Sequence, residues 1–590
     1  MIKLGLKWHH FGDFSVHQKE IVEMRRITVV GLVLCLVALN GFAQRSIKEE
    51  YKLKFDDVLN LIESKYVDKP DYDGLIEKAI VGMVKELDPH SEYMTAEEYD
   101  RMNEPLTGNF EGIGVQFNIL KDTIAVVSPI SGGPSERLGI RSGDKIVVIE
   151  DTVVAGIGIT NRDVINKLRG DKGTKVRINI YRRGVDDLID YTIERDKIPI
   201  FSLDAGYMLT EEIGYVKLNR FSQSTMEEFY EALDKLEPKG MKHLVLDLRG
   251  NSGGYLNTAI QLSDEFLGDN SLVVYTEGVS NPKRDHFATK RGRFEKGKLV
   301  VLIDEGSASA SEIVAGAIQD HDRGLILGRR SFGKGLVQRP FKLRDGSTLK
   351  LTTARYYTPA GRCIQRPYDE GNDAYRNESQ RRIDNGELFS LDSIHLDDQQ
   401  EFLTDNKRKV YGGGGILPDI FVPLDTSENS EFLRELLSNG LFYQYINEYV
   451  DANRDQLNAS YPNFEAFDAN FSVEGEFLDN FFAFAEKEMK PKKVEVDGTV
   501  EVKIGDEEIV LQVDTATVTA EKEKDFATRK AEGLETSGKV IRTRLKALLA
   551  RSIWQTEAFY RVFNAEDDAV KKAIESIDDK TFRRMKLSYN

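Results

Sequence analysis

Two short stretches hold the residue types that could do chemistry: Gly306-Ser-Ala-Ser-Ala-Ser-Glu312 and Phe332-Gly-Lys-Gly-Leu-Val-Gln338. The first is a small-residue serine turn that opens a helix, and the second holds a lone lysine between two glycines. A serine hydroxyl is a poor nucleophile at neutral pH and needs a base to take its proton. No histidine of the chain is well placed for that task, and Lys334 is. The pairing points to a serine–lysine hydrolase. A free lysine titrates near 10.4, so bringing it to about 7 takes roughly 4.6 kcal/mol of preference for the neutral form. Burial supplies such a preference by disfavouring charge. Phe332, Leu336 and Val337 around Lys334 are compatible with burial, and Gly333 and Gly335 permit close backbone approach. An ordinary turn lysine has the same local sequence.

His90, His243, His286, His321 and His395 are the other candidate bases after the N-terminal segment. His321 follows Ser309 by twelve positions, or ~18 Å along one helix, too far for a hydrogen bond. Between Asp320 and Asp322 it reads as a helix-end residue. Gly328-Arg-Arg-Ser-Phe-Gly333-Lys334 has the spacing of a phosphate-binding loop, but Gly335 stands where Ser or Thr would hold magnesium. That argues against an ATPase.

Leu246-Asp-Leu-Arg-Gly-Asn-Ser-Gly-Gly254 follows a buried strand. Its paired glycines could aim backbone N–H groups at an oxyanion, each donor worth about 3–4 kcal/mol. The amide of Ala310 is a natural second donor. A plain strand-to-helix turn has the same sequence. Phe110-Glu-Gly-Ile-Gly-Val115 is a glycine-rich loop entering a strand. Such a loop can hold a peptide's terminal carboxylate while the peptide pairs with a sheet edge.

The elements that must position these residues follow from periodicity. Residues 47–66 and 73–87 carry apolar positions at helical spacing, such as Phe55, Val58, Leu59, Ile62 and Tyr66, and Asp88-Pro89 ends them in a turn. Gly114–Ile119, Ile124–Val127, Lys145–Ile149, Val176–Tyr181 and Leu188–Ile193 read as short strands, with a helix over Asn161–Leu168. Leu244–Leu248, Leu299–Ile303 and Leu325–Leu327 are unbroken apolar runs, expected in a sheet covered on both faces. Residues 366–408 read as a polar surface insertion, Tyr411–Gly415 as a flexible turn and Thr515–Ala531 as a linker before a helical tail. The chain has no internal repeat.

Length and charge bound the function. The 590 residues suggest three to four domains. A net charge of −17 argues against a nucleic-acid binder. Arg25 and Arg26 precede an apolar run from Ile27 to Leu39, and Gly41-Phe-Ala43 suits a signal peptidase. The expectation is an exported chain cleaved after about Ala43, with Met24 the better initiator. The run is short for a membrane span of about twenty residues, and an uncleaved anchor is the alternative. Cys35 lies inside the run, which leaves Cys363 alone in the mature chain and no internal disulfide.

Taken in order, Gly112–Val115, Leu168-Arg-Gly170, Asp247–Gly254, Gly306–Glu312, Gln319-Asp-His321 and Phe332–Gln338 resemble the carboxy-terminal processing peptidases, exported serine–lysine endoproteases. The match runs from about residue 50 to 425. The resemblance implies a multidomain α/β protein whose crotonase-like or ClpP-like protease core carries an inserted PDZ-like β-rich domain. The expected divisions are 1–43 (upstream extension and signal peptide), 44–106 (helical region), 107–197 (PDZ-like), 198–425 (core) and 426–590 (mostly helical extension). It makes Ser309 the nucleophile, Lys334 the general base and Gln338 the residue that orients the lysine. On a straight strand those last two would be ~13 Å apart, so a bend or helical turn is implied. Gly253 or Gly254 and Ala310 would form the oxyanion hole. Gly112, Ile113, Gly114 and Val115 would bind substrate C-termini, and Arg169 is a candidate for coupling the two domains. No metal or organic cofactor is implied. The expected partners are polypeptides with exposed C-termini, with a homodimer through helical regions and a regulatory adaptor as further candidates and no nucleic acid. The periplasm or cell envelope is the expected location. A non-catalytic PDZ adaptor with a retired core, or a crotonase-like acyl-group enzyme, stays open as an alternative. The insertion at 366–408 and the long extension after 426 depart from the minimal family pattern.

Overall fold

A computed structural model describes residues 49–290, 292–395, 400–489, 500–504, 507–511 and 525–589. The export segment at 24–43 lies outside them. Among the described residues no helix is long and apolar enough to cross a membrane.

The chain divides into a unit ending at Glu86 and a second from Leu87 onward. The first holds a helix at 49–65 and the helix Tyr72–Lys85, whose N-cap Asp71 accepts from the Gly74 amide at 3.2 Å.

In the second unit an antiparallel sheet carries the PDZ-like region. Its strands run Val115–Leu120, Thr123–Pro129, Lys145–Ile149, Lys175–Tyr181 and Ile189–Glu194, in that spatial order. Alternate residues Val176, Ile178 and Ile180 point inward, the period-two signature of a half-buried strand. Helix Asn161–Leu168 closes this core with Val164 and Leu168. Strand Val115–Leu120 is an edge strand of that sheet.

The main sheet orders Leu203–Met208, Ile213–Leu218, His243–Asp247, Leu299–Ile303, Leu325–Gly328 and Ile420–Phe421. The first pair is antiparallel and the rest are parallel. One face packs on helices Thr225–Leu236, Leu256–Asp264 and Ala310–Asp320. The other face is covered by the end of the chain: Val245, Val300, Leu302 and Leu327 pack with Val570, Ala573, Ile577 and Phe582. This two-sided burial explains the unbroken apolar runs. Each fully buried Val, Ile or Phe in that layer contributes about 1.5–3 kcal/mol. A second sheet centres on Thr348–Tyr357, which pairs with Leu336–Lys342, Leu272–Gly278 and Glu92–Met94. The extension from Glu431 forms a helical module around an aromatic cluster with Phe442, Tyr445, Phe467, Phe477 and Phe481 at its centre.

Two readings of the polar segments are corrected and one is refined. The described part of 366–408 lies largely at the surface but is anchored there, because helix Asn372–Asp384 buries Tyr375 and Arg382. Arg330 and Arg382 share the buried carboxylate of Glu387, and the Arg366 guanidinium stacks between the Phe332 and Tyr375 rings at 3.9 Å from each. Gly412–Gly415 is a packed strap, since Gly413 and Gly415 donate to the Cys363 and Ile364 carbonyls at 2.7 and 2.8 Å. Finally, the segment read as a linker turns helical at Phe526, where Asp525 caps the Thr528 amide at 2.7 Å. Within it Arg529 pairs with Glu435 at 2.7 Å and Lys530 lies 4.5 Å over the Phe482 ring, so both pack against the helical module.

Candidate active site

Strand Leu299–Ile303 leads into the turn Asp304–Ala308 and then helix Ala310–Asp320, with Ser309 at the N-cap. Asp304 Oδ1 accepts from the Gly306 and Gly250 amides at 3.0 and 2.8 Å, tying two loops together. Ser309 has φ +54 and ψ −110, a conformation L-residues avoid at a cost of about 1–3 kcal/mol. The surroundings hold it there. Its N–H donates to Glu312 Oε2 at 2.7 Å and its carbonyl accepts from Tyr356 Oη at 3.1 Å.

Glu312 is the hub of the site. Its buried carboxylate also accepts from the Lys334 amide at 2.9 Å, the Gly333 amide at 2.7 Å and Ser331 Oγ at 2.5 Å. One carboxylate therefore fixes the main chain of both the serine and the lysine. Burial pushes it up to about 7 against those four donors. Tyr356 Oη repeats the cross-link, because its single proton lies between the Ser309 and Lys334 carbonyls and is shared by them.

Lys334 lies on the loop before strand Leu336–Lys342. Burial pushes its ammonium down to about 8, the Lys350 cation adds to the effect, and Glu312 and Asp88 oppose it. Among the described residues no hydrogen bond joins Lys334 Nζ to Ser309 Oγ. His90, close enough to sense the Lys334 charge, is pushed by burial down to about 3, and its Nε2 lies 2.9 Å from Tyr375 Oη. So weak a base does not replace the lysine. His321 is the C-cap of the Ser309 helix, with its ring between Asp405 and the Leu272 carbonyl.

Gly250–Gly254 faces the serine turn. Buried Asn251 welds the two: its carbonyl accepts from the Ala308 amide at 2.9 Å and Ser311 Oγ at 2.8 Å. Its Oδ1 takes the Gly253 N–H at 2.9 Å. That leaves Gly254 and Ala310, whose N–H groups make no hydrogen bond among the described residues. A Cβ at residue 253 would meet Ala308 O at 2.8 Å, Ser309 Cβ at 2.9 Å and Ala310 N at 3.0 Å, so only glycine fits beside the donor.

Ser309, Ala310, Gly253, Gly254, Lys334 and Gln338 line one cleft of ≈1350 Å³. Gln338 follows a β-bulge, and its Nε2 donates to Thr352 Oγ1 at 3.2 Å. Thr352 Oγ1 passes the chain of bonds to Asp88 at 3.0 Å. Gly112, Ile113, Gly114 and Val115 are not brought to this cleft; they lead into the edge strand of the other sheet. Gly114 has φ +74, and a side chain there would strike Ile198 at 2.9 Å. Arg169 lies between the two regions. Its guanidinium stacks 4.7 Å from the Phe110 ring and pairs with Glu104 of helix Ala96–Thr107, whose Asn103 and Leu106 line the cleft.

The sequence argument assigned no role to Glu312, Asn251, Tyr356 or Asp88. Glu312 carries a local signal, since Ser-x-x-Glu is the capping-box spacing. The other three act from loops and strands distant in sequence and leave no such mark.

The profile of peptidase family S41 matches residues 212–370, a PDZ domain profile residues 112–193, and that of the activating protease CtpB N-terminal domain residues 39–98. A family of unknown function matches residues 432–502. The chain is 40% identical over 317 residues to the carboxy-terminal-processing protease of Bartonella bacilliformis, covering 53% of this chain and 72% of the relative. It is 37% identical over 314 residues to carboxy-terminal processing protease CtpA of Bacillus subtilis, covering 53% and 66%. Among solved structures, the photosystem II D1 C-terminal processing protease matches at 26% identity and TM-score 0.33, over 62% of this chain and 86% of that one. With a serine turn, a half-buried lysine and free backbone donors around one cleft, and with 40% identity to a relative covered over 72% of its length, the chain belongs to peptidase family S41, the family of the carboxy-terminal processing proteases.

Proposed function

We propose that the protein is an exported serine endopeptidase that grips polypeptides by their C-termini through its PDZ domain and cuts them with Ser309 and Lys334. The observation that carries the reading is the lining of one cleft by Ser309, Lys334 and the residues of two unengaged N–H groups, Gly254 and Ala310. Neutral Lys334 Nζ takes the Ser309 hydroxyl proton as Oγ attacks the scissile carbonyl. The carbonyl oxygen becomes an oxyanion held by the Gly254 and Ala310 amides. The ammonium of Lys334 then returns its proton to the leaving amine as the C–N bond breaks. Water attacks the acyl-serine by the same route, with Lys334 again the base. Gln338, on the wall of the same cleft, orients Lys334 in this reading through Thr352 and Asp88, whose charge the lysine senses. The loop Gly112–Val115 is the carboxylate-binding element, and its edge strand is open to a peptide strand.

The test is degradation of an unfolded protein with an apolar C-terminus by wild type, Ser309→Ala and Lys334→Ala. Wild type should cleave, and both variants should be folded and inert. Wild-type rates in either folded variant would defeat the reading.

A further inference from the structure

The cutting chemistry uses one cation, yet the cleft holds four. Arg220, Lys334, Arg339 and Lys350 line it, and no Asp or Glu does, in a chain with 98 acidic and 81 basic residues. The excess runs against the charge of the whole molecule. Cations with a purely structural role are normally paired. Here Arg220 spends its Nε on the neighbouring Asn219 Oδ1 at 3.0 Å, and exposed Arg339 has no carboxylate partner among the described residues. Lys350 reaches Met102 Sδ at 3.6 Å and Glu92 at 3.3 Å, and the Glu92 side chain is 58% exposed. Lys350 also repels Lys334, so the cluster carries an electrostatic cost.

The positions of the cations name what they await. Arg220 adjoins Phe221, which bridges Gly254 in the oxyanion loop. Arg339 follows Gln338 on the other sheet, and Lys350 pairs with the next residue, Pro340. Cations therefore enter the cleft that holds Ser309 from the elements of both sheets. Two guanidiniums in a groove with no acidic lining are suited to carboxylates, which arginine binds bidentately.

We infer that the cleft selects polypeptide segments bearing Asp or Glu on both sides of the scissile bond. The inference rests on the protease reading above and names its substrate class. Arg220 serves one side of the cut, and Arg339 with Lys350 serves the other. Because these charges act before chemistry, the preference resides in KM. A bound acid near Lys334 also holds its proton more tightly and moves the pH dependence of kcat upward.

The experiment starts from a site that wild type cleaves in the unfolded test protein, located by mass spectrometry. Three peptides spanning it carry acidic, amide or basic residues at the flanking positions. The acidic peptide should exceed the amide peptide about tenfold in kcat/KM, mainly through KM, and the gap should shrink in high salt. With peptides charged on one side of the bond only, Arg220→Glu should invert the acid-to-base preference on its side, and Arg339→Glu, which leaves Lys350 in place, should abolish it on the other. Equal kcat/KM for the three peptides, or an unchanged preference in both variants, overturns the inference and leaves the protease standing. If the test protein yields no cleavage site, the protease reading falls and this inference falls with it.

Discussion

With Lys334 as the proposed base, the pH dependence of cleavage is set by how that lysine is held. Its ordinary value of 10.5 falls to about 8 in the folded chain. That difference corresponds to roughly 3.4 kcal/mol of preference for the neutral amine. At pH 7 about 9% of the lysine is then neutral, against roughly 0.03% for an unperturbed one, a gain of about 300-fold in competent enzyme. The sign is that of a cation with a lowered value: activity is lost as pH falls through 8 and is full above it. Steady-state kcat/KM on a charge-neutral peptide should rise about tenfold per unit below pH 8 and level off above about pH 9. Lys350→Met removes the cation that assists burial, so the half-rise should move to higher pH. A rate that is flat from pH 6 to 9 would refute the argument. So would a half-rise near 6.5, which belongs to histidine, or near 10.5, which means the lysine is not desolvated. A downward move in Lys350→Met would refute the assigned electrostatics.

Two substitutions test the scaffold. Gly253→Ala places a methyl 3.0 Å from Ala310 N at a residue with φ +102, so kcat should fall about 10²–10³-fold, as for loss of one oxyanion donor. Near-wild-type turnover would show that the oxyanion lies elsewhere. In Glu312→Gln, either orientation of the amide leaves at least one backbone N–H facing an NH₂ group, at a cost of about 1–3 kcal/mol. Thermal unfolding should show that loss together with a fall in kcat, because Ser309 and Lys334 share the carboxylate; a stability loss with full activity would make Glu312 structural only.

Much of the architecture was legible because its causes are local. Helix Asn161–Leu168 reads from its apolar spacing and ends where expected. Leu299–Ile303 reads as a doubly covered strand from composition alone. The segments that misled are polar ones whose partners are remote. Arg330, Arg382 and Glu387 look solvent-exposed in sequence, yet they satisfy one another and are buried as a group. The Gly412–Gly415 strap looks mobile, but its amides are taken by the carbonyls of Gln400, Cys363 and Ile364 across the fold.

The same division runs through the site. By itself the sequence determined which side chains could react, where the chain must turn to expose Ser309, and where glycine was needed, because residue chemistry and backbone conformation are properties of a few neighbours. Only the tertiary structure decided that Lys334 is held near 8, that Glu312 binds the Ser309 and Lys334 segments together, and that Gly254 rather than Gly253 has a free N–H. Desolvation, charge and hydrogen-bond competition sum over every group nearby in space, and here Asp88, Asn251, Lys350 and Tyr356 come to Ser309 and Lys334 from separate parts of the chain.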